Sequence, residues 1–407
     1  MTFPANWQTR RARFSFPRRD VRGADAPLAS ATKDGVSLRS DLDFAVWNPD
    51  SNVSNYKLVE PYDFVIGLRS FQHGISHSAV RGIVSPAYTV LRSAGDLDPR
   101  FFKHYFRSSL LISHLANITQ GIRQGQAIDV EAFQNLPMPV PPLEEQRRIA
   151  DFLDAETARI DKLARLRSEQ SALIGEGIAA EAVDLTGRSH IRRDGSTTEN
   201  MIQLRRAAKS TQTGSTPTDL HALSDGSAAE GNLPWYTPAA IDCWMSIATA
   251  EKATRRDGAP LFPAGSVIIT GIGESLGKVA YLNHAATGNQ QLTAITPRVG
   301  VSGRFMAWQL WAAEPEIREW AQYSRIRIIN NDSLKSFPIY LPSRAEQDTV
   351  VRTLDSRMVR VRQITDAFLR FQRLADERRQ ALITAAVTGQ FDVSTASGRN
   401  VTDGVTA

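Results

Sequence analysis

The chain has 407 residues, of which 42% are hydrophobic and 22% are charged. One hydrophobic core rarely fills this length, so two or more domains are expected, and the composition excludes a wholly disordered chain. No apolar run approaches the roughly 18 residues of a membrane span, and the N-terminal stretch lacks the pattern of a signal peptide. Cys243 is the only cysteine, which excludes an internal disulfide and a thiolate metal cluster. We expect a cytoplasmic protein, and its net charge of +5 suits a polyanionic partner.

The first part of the chain predicts a domain of short strands and one helix. Runs rich in β-branched and aromatic residues at 56–70 and 85–93 are typical of strands, and the segment DPRFFKHYFRSSL at 98–110 is typical of a helix. A Pro-rich stretch, LPMPVPP at 136–142, follows. These features predict a first α/β domain over 1–142.

A long helix is predicted next. No Pro or Gly interrupts 143–174, and acidic residues occupy its first turn. We place this first spacer helix at 143–190. Its apolar residues recur at the three- and four-residue spacing of a helix seam, namely Ile149, Leu153, Ile160, Leu163 and Ile174.

The second half of the chain has the same order of elements. Strand-like runs at 259–273 and 290–299 precede the aromatic segment GRFMAWQLWA at 303–312, which predicts a second α/β domain over 191–341. A second spacer helix at 342–392 and a short tail at 393–407 follow. The seam of this helix is Val350, Leu354, Val361, Ile364, Phe368, Phe371 and Leu382.

An internal repeat connects the two halves. The sequence LPMPVPPLEEQRRIADFLD begins at Leu136, and its counterpart FPIYLPSRAEQDTVVRTLD begins at Phe337, at a constant offset of 201 residues. A helix of roughly 40 residues extends about 60 Å, too far to bury one face against a small domain. Each long helix therefore needs a partner helix. We predict that the two pair as an antiparallel coiled coil, which would hold the two domains apart.

The sequence contains no recognisable catalytic or metal-binding motif. The glycine-rich segment GIGESLGKV at 271–279 lacks the spacing and the hydroxyl of a Walker loop, so a phosphate contact with DNA through Lys278 is the better hypothesis. His73 and His77 are separated by residues that include Gly74, and no glutamate base accompanies them. We predict a non-catalytic chain that binds no metal.

This order of elements resembles the specificity subunits of type I restriction–modification systems. The ending ALITAAVTGQFDV, from Ala381, and the segments TQTGSTPT and NLPWYTPAAID of the second domain are also similar to that family. The main residues that carry the resemblance are Leu136, Pro137, Pro139, Pro141, Pro142, Leu143, Glu145 and Gln146.

The resemblance implies that each α/β domain is a target-recognition domain that reads one half of a bipartite DNA sequence. The paired helices would set the unread gap and dock two DNA methyltransferase (modification) subunits. Those partners would bind S-adenosylmethionine, whereas this chain would bind no cofactor. Motor–nuclease (restriction) subunits would add cleavage where they are present.

Base reading requires side chains with paired donors and acceptors, chiefly Arg, Lys, Asn and Gln. In the first domain the candidate DNA-binding residues are Arg69, Gln72, His73, Arg81, Arg123 and Gln124. In the second domain they are Thr213, Trp235, Tyr236, Lys278, Gln290, Gln291, Arg325 and Arg327. Each of these residues also has an ordinary structural interpretation, and Trp235 and Tyr236 suit a core equally well.

An alternative hypothesis from another class is a protein-interaction scaffold that uses its paired helices and reads no DNA. Salt dependence distinguishes the two, because phosphate-driven binding weakens steeply as salt rises and apolar docking does not.

Overall fold

The computed structural model describes residues 3–42, 53–68, 71–120, 127–190, 201–223, 229–323 and 326–395. The chain divides into two compact units. Unit 1 comprises Met1–Arg167 and Leu369–Ala407, and unit 2 comprises Ser168–Phe368. The boundaries between the units fall inside the long helices, so each unit contains one domain and a part of both helices.

Unit 1 is built from short strands and short helices followed by one long helix. Most of its strands belong to sheets of only two strands, and β2-β9-β6-β7 form a four-stranded antiparallel sheet. In chain order the elements are β1 (Gln8–Arg11), α1 (Ala12–Ser15), β2 (Arg18–Arg19), β3 (Ala29–Thr32), β4 (Gly35–Leu38), β5 (Lys57–Val59), β6 (Phe64–Ile66), β7 (Ser76–His77), β8 (Gly82–Val84), β9 (Thr89–Leu91), α2 (Pro99–Tyr105), α3 (Ser109–Asn117), β10 (Thr119–Gln120), β11 (Ala127–Ile128), α4 (Val130–Asn135), β12 (Pro137–Val140) and α5 (Leu143–Leu185).

Unit 2 has the same order with longer strands. Its first four-stranded sheet, β14-β21-β18-β19, is antiparallel, and its second, β15-β17-β16-β20, contains one parallel pair, β16 with β20. The elements are β13 (Met201–Gln203), α6 (Leu204–Ala207), β14 (Ala208–Thr213), β15 (His221–Ala222), β16 (Asn232–Tyr236), β17 (Lys252–Arg255), β18 (Val267–Thr270), β19 (Val279–Tyr281), β20 (Thr287–Gly288), β21 (Leu292–Pro297), α7 (Gly303–Ala312), α8 (Glu314–Trp320), β22 (Gln322–Tyr323), β23 (Arg327–Ile328), α9 (Asn331–Ser336), β24 (Pro338–Tyr340) and α10 (Arg344–Val387).

Each domain closes on itself in the same way. The strand that enters the first domain, β1, pairs with the Pro-rich strand β12, and β13 pairs with β24 in the second domain. Just after each entering strand, a backbone N–H donates to the carbonyl that precedes the Pro-rich strand: Ala12 to Leu136 and Leu204 to Phe337, both at 2.9 Å. Each long helix therefore begins beside the point where its domain began.

The predicted aromatic helices lie at the centre of each domain. In α2, Pro99 occupies the first turn, the Asp98 side chain caps the helix, and Phe102 and Tyr105 are buried on one face. In α7, the corresponding buried residues are Phe305 and Trp308. Their three-residue spacing places each pair on one helical face, where they fill the space between the sheet and the long helices.

The two long helices start close to the predicted residues and end about five residues earlier. Each ends just before a glycine with positive φ, Gly187 at 74° and Gly389 at 73°, as expected for a C-terminal helix cap. At 43 and 44 residues the helices extend about 65 Å. Within the described ranges, no helix combines the length and hydropathy needed to cross a membrane.

The end regions of the helices pack into the domain cores, which the seam prediction did not anticipate. Ile149 and Leu153 join the first core together with Leu382, while Leu354 and Val361 join the second. Val350 and Ile174 pack at the edge of the second core. A domain covers each helix end, because the β1–β12 and β13–β24 pairs hold the domain against it.

The middle parts of the helices lie side by side. In unit 1, Arg379 forms an ion pair with Asp161, and the guanidinium of Arg167 lies 6.0 Å from the ring centre of Phe371. Residue numbers rise along one helix as they fall along the other, so the helices run antiparallel there. In unit 2, Arg357 pairs with Glu181 at 3.0 Å.

Two seam positions depart from the prediction. Leu163 and Ile364 are 44% and 38% exposed. Ile160, Phe368 and Phe371 are partly buried.

Candidate nucleic-acid and partner interfaces

Four loops of unit 2 meet at one end of the sheet β14-β21-β18. The amide of Gly271 donates to the carbonyl of Gln291 at 2.8 Å, and that of Ser215 donates to the carbonyl of Gly288 at 2.8 Å. Gly273 donates to Arg327 at 3.0 Å in the same way. We call this region the unit 2 loop cluster, and it consists of residues 213–217, 270–273, 288–292 and 326–331.

Short polar side chains occupy the loop cluster. Thr213 shares hydrogen bonds with Thr293 and Asn331, both at 3.1 Å. The Thr216 hydroxyl donates to the Oε1 atom of exposed Gln290 at 2.9 Å. The cluster thus places hydroxyl and amide groups, the groups that read base edges, on a braced surface.

Glycine is required at one point of this cluster. A Cβ atom on Gly214 would lie 2.1 Å from the carbonyl oxygen of Gly288, a distance that no side chain tolerates. The close approach of these two backbones brings the loop after β14 against the loop before β21. Thr216 and Gln290 therefore meet because position 214 has no side chain.

Trp235 and Tyr236 support the cluster from within the domain. The indole N–H of half-buried Trp235 donates to the Ser215 carbonyl at 2.9 Å. Tyr236 is 4% exposed and its hydroxyl lies 3.1 Å from Nε2 of His284. These positions favour a supporting role over direct contact with DNA.

The predicted cations of unit 2 are not all in one place. Arg327 is exposed in the loop cluster, and its guanidinium donates to the Arg318 carbonyl at 3.3 Å. Lys278 lies instead in a pocket beside α5, which Trp244 and Gly175 also line, with its ammonium 3.5 Å from the Ile241 carbonyl. Arg325 falls outside the described residues.

In unit 1, the candidates lie at two separate places. Gln72 and His73 are exposed and line a cavity of about 760 Å³ together with the tip of the β3–β4 hairpin. Arg81 is exposed near the base of that hairpin, where it donates to the Asp25 carbonyl at 3.2 Å. Arg69, Arg123 and Gln124 fall outside the described residues.

A group of ionisable side chains lies beside this cavity, and of its members His104 is buried whereas Lys103 and Asp154 are partly exposed. Nε2 of His104 and the ammonium of Lys103 lie 2.9 and 2.8 Å from the same oxygen of Asp154. Burial opposes ionisation of Asp154, but the hydrogen bonds from His104 and Lys103 outweigh it and lower the pKa of this carboxyl group. Burial also lowers the pKa of His104, and it lowers the pKa of His77 to about 4. The arrangement ties α2 to α5.

The sequence repeat has a structural basis in two buried glutamines, which the sequence analysis matched between the two halves without predicting their structural role. Oε1 of Gln146 accepts from the Asp98 amide at 2.8 Å, and its Nε2 donates to the Pro141 carbonyl at 2.8 Å. Gln347 makes the same pair of bonds to Ser302 and Pro342, at 2.8 and 2.9 Å. Each glutamine therefore fastens its long helix to the start of the aromatic helix. The available signal was the Glu-Gln pair at the 201-residue offset.

The long helices also carry an apolar feature that repeats at this offset. Leu163 and Ile364 are 201 residues apart and exposed, and so are Leu173 and Leu374, at 66% and 60%. Leu163 and Leu374 lie in unit 1, where they line a groove of about 480 Å³ with Phe371. Ile364 and Leu173 are the corresponding residues of unit 2. We call these the repeated apolar patches.

The described residues offer no evident metal site. Among them, no group of three or more histidine, cysteine, aspartate and glutamate side chains is placed to hold a metal ion. His73 is exposed, whereas His77 is largely buried and packs against the rings of Tyr62 and Phe64.

The fold of this chain is similar to those of known proteins. A chain from the structure described as "Structural basis underlying complex assembly and conformational transition of the type I R-M system" superimposes with a TM-score of 0.72 at 20% identity, covering 96% of this chain and 100% of that one. The HsdS subunit from Thermoanaerobacter tengcongensis gives 0.51 at 18% identity, covering 96% and 99%. No curated protein sequence matches the chain.

Residues 72–169 and 222–358, more than half of the chain, match the family described as "Type I restriction modification DNA specificity domain". This match confirms the resemblance drawn from the Pro-rich repeat. The specificity subunits of this family are non-catalytic, as the sequence predicted. The chain therefore belongs to the DNA specificity family of type I restriction–modification systems.

Proposed function

We propose that this chain reads a bipartite DNA target, one half-site through each unit, and scaffolds a modification complex. One observation carries the proposal. The same pair of hydrogen bonds, made by Gln146 in unit 1 and Gln347 in unit 2, fastens the long helix to its domain, and we call this arrangement the shared frame. The shared frame supports a different set of surface loops in each unit. A duplicated frame with unlike loops suits two separate readings of DNA, since base contacts depend on the loops.

The second domain provides the clearest candidate reading surface. Its loop cluster exposes Gln290 and Arg327 on loops that are fixed by backbone hydrogen bonds. An amide can read a base edge, and an exposed guanidinium can bind a phosphate. We infer that the loop cluster enters the half-site that unit 2 recognises.

The long helices would set the number of unread base pairs. A helix gains about 1.5 Å for each residue, so four extra residues add roughly one turn. Insertion of four residues into both α5 and α10 should lengthen the unread gap while both half-site sequences stay the same. An unchanged gap would contradict this part of the proposal.

The repeated apolar patches are the proposed docking surfaces for two DNA methyltransferase subunits. Two copies of one partner require two similar surfaces, and Leu163 with Leu374 matches Ile364 with Leu173 at the repeat offset. We expect these partners to bind S-adenosylmethionine and methylate adenine. A motor–nuclease subunit would join the same complex where the system also cleaves DNA.

Domain exchange tests the bipartite reading. Replacing residues 201–341 with the corresponding domain of another specificity subunit should change one half-site and leave the other half-site and the gap unchanged. The matched exchange of residues 3–140 should change only the other half-site. If either exchange changed both half-sites together, independent reading by the two units would be wrong.

The alternative, a scaffold that reads no DNA, predicts a different response to salt. Binding through several phosphates weakens by about 0.9 logarithmic units for each contacted phosphate per tenfold rise in salt. We expect steep salt dependence for a complex of the full chain with its partners on duplex DNA. A salt-independent association would favour the scaffold.

A further inference from the structure

Two adjacent glutamines in the loop before β21 have different roles. The amide oxygen of Gln291 accepts from Nδ2 of Asn289 at 3.0 Å, and its backbone N–H donates to Oδ1 of the same asparagine at 3.1 Å. Its carbonyl accepts the Gly271 amide at 2.8 Å. Gln291 therefore holds the loop together.

Gln290 has its amide group directed by one neighbour. Its Oε1 atom accepts from the Thr216 hydroxyl at 2.9 Å, and its Nε2 atom has no partner among the residues that the structure describes. Oε1 keeps a second lone pair, and Nε2 keeps both hydrogens. The side chain thus presents one acceptor and one donor next to each other at an exposed position.

The loop that carries Thr216 is itself braced. Gly214 and Ser215 donate backbone hydrogen bonds to Leu292 and Gly288, at 2.9 and 2.8 Å. The Trp235 indole holds the Ser215 carbonyl from the domain side. Because both loops are fixed before DNA arrives, little conformational entropy remains to be lost when Gln290 binds a base.

We propose that Gln290 is a specificity-determining residue that reads an adenine in the half-site of unit 2, and that Thr216 is its positioning residue. Adenine presents an N6 donor and an N7 acceptor in the major groove, which match the free acceptor and donor of this amide. The inference rests on the proposed function, since it requires unit 2 to read DNA. It adds the residue, its orientation and the base.

The experiment uses the full chain in complex with its methyltransferase subunits and duplex DNA randomised over the half-site of unit 2. Sequencing of the bound fraction gives the relative preference at every position. Gln290→Ala should lower the preference for adenine at one position by about tenfold to a hundredfold and leave the other positions unchanged. Thr216→Val should weaken the preference at the same position by a smaller factor.

A second variant distinguishes lost reading from lost folding. Gln290→Glu replaces the donor–acceptor pair with acceptors only, and a carboxylate suits the N4 donor of cytosine. The preferred base at the same position should therefore change from adenine to cytosine. Gln203→Ala, at an exposed glutamine outside the loop cluster, is the matched control and should leave the motif unchanged.

Three results would overturn the inference: an unchanged motif in Gln290→Ala, a uniform weakening at all positions, or retained adenine in Gln290→Glu. The proposed function itself fails in a different way. In that case the wild-type complex would show no half-site that follows an exchange of residues 201–341.

Discussion

The two units share a frame and differ in what surrounds it. Gln146 and Gln347 make the same two bonds, but Asp154 and Asp355, at the same offset, have different partners. Asp154 pairs with His104 and Lys103, while Asp355 accepts from the guanidinium of Arg304 and the indole of Trp308. The backbone amides at the start of a helix lack partners within the helix in any sequence, so the same glutamine can accept from them in both units. A carboxylate, by contrast, can be satisfied by several kinds of donor, so the partners of the two aspartates differ.

The cavities beside the long helices show the same contrast. In unit 1, α10 contributes the polar side chains Asp376 and Gln380 to a cavity of about 760 Å³. In unit 2, α5 contributes the small residues Gly175 and Ala179, at the same offset, to a cavity of about 500 Å³ that both apolar and charged side chains line. Cavities that differ in this way offer no repeated docking surface. The repeated apolar patches recur at the 201-residue offset, so they are the surfaces that we propose for docking.

The largest expected effect on stability comes from the shared frame. Gln146→Leu leaves the Asp98 amide and the Pro141 carbonyl buried without partners, at a cost of about 1–3 kcal/mol for each group. Gln347→Leu should destabilise unit 2 by a similar amount, because its bonds are the same. Calorimetry of the full chain, with transitions assigned by the two variants, measures both effects.

The control for these variants is Glu144→Gln, whose side chain is 79% exposed on the first turn of α5. It should change stability by less than about 0.5 kcal/mol. If one leucine variant were strongly destabilising and the other had no effect, the two glutamines would not have the same structural role.

The two units should differ in how their stability depends on pH. Burial lowers the pKa of His77 to about 4, and the nearby charges of Lys103 and Arg107 act in the same direction. Between pH 6.5 and 4 the unfolded chain binds a proton that folded His77 does not bind. Unit 1 should therefore lose stability as pH falls through this window, by at most about 1.4 kcal/mol per pH unit for this group. In unit 2, His221 is exposed and His284 is half-buried.

His77→Phe tests the assignment, since the ring can still pack against Tyr62 and Phe64 but cannot titrate. We expect a flatter stability profile of unit 1 between pH 6.5 and 4 in urea denaturation. His73→Phe, at an exposed histidine, should keep the wild-type slope. An unchanged slope in His77→Phe would assign the acid sensitivity of unit 1 to other groups.

The smallest effect on stability is expected at the repeated apolar patches. Leu374→Ser and Leu173→Ser replace side chains that are 60% and 66% exposed, so each should change the free energy of unfolding by less than about 0.5 kcal/mol. Each should nevertheless weaken methyltransferase binding about tenfold or more, because a buried leucine contributes about 1.5–3 kcal/mol. Titration of the full chain with the methyltransferase subunit measures this.

The two patches should behave alike. Each single variant should retain one undiminished site, and the double variant should weaken both. If the double variant bound the methyltransferase subunit as tightly as the wild type, the patches would not be the docking surfaces.

The sequence predicted the repeated elements well, because their spacing is regular. The 201-residue offset and the uninterrupted apolar periodicity predicted both long helices, and the aromatic segments predicted α2 and α7. The end regions of the helices were harder to predict, since periodicity shows an apolar face but not what covers it. Leu153 packs in a domain core and Leu163 is exposed, although both belong to one predicted seam.

The contacts of the candidate side chains could not be predicted from the sequence. Gln290 and Gln291 are indistinguishable in the sequence, and only the bonds to Asn289 and Thr216 separate the loop-holding residue from the exposed one. The backbone carbonyl of Lys278 accepts from the Thr270 amide of the loop cluster at 2.9 Å, but its side chain lines the pocket beside α5. Such assignments depend on contacts between distant segments, which spacing along the chain does not contain.

The most direct test of the central claim is a map of adenine methylation in the genome of cells that carry this chain with its partners. The map should be repeated after exchange of residues 201–341. We predict one bipartite motif with a fixed gap, in which the exchange replaces one half-site and preserves the other. A motif in which both halves change, or methylation that does not depend on this chain, would contradict reading by two independent units.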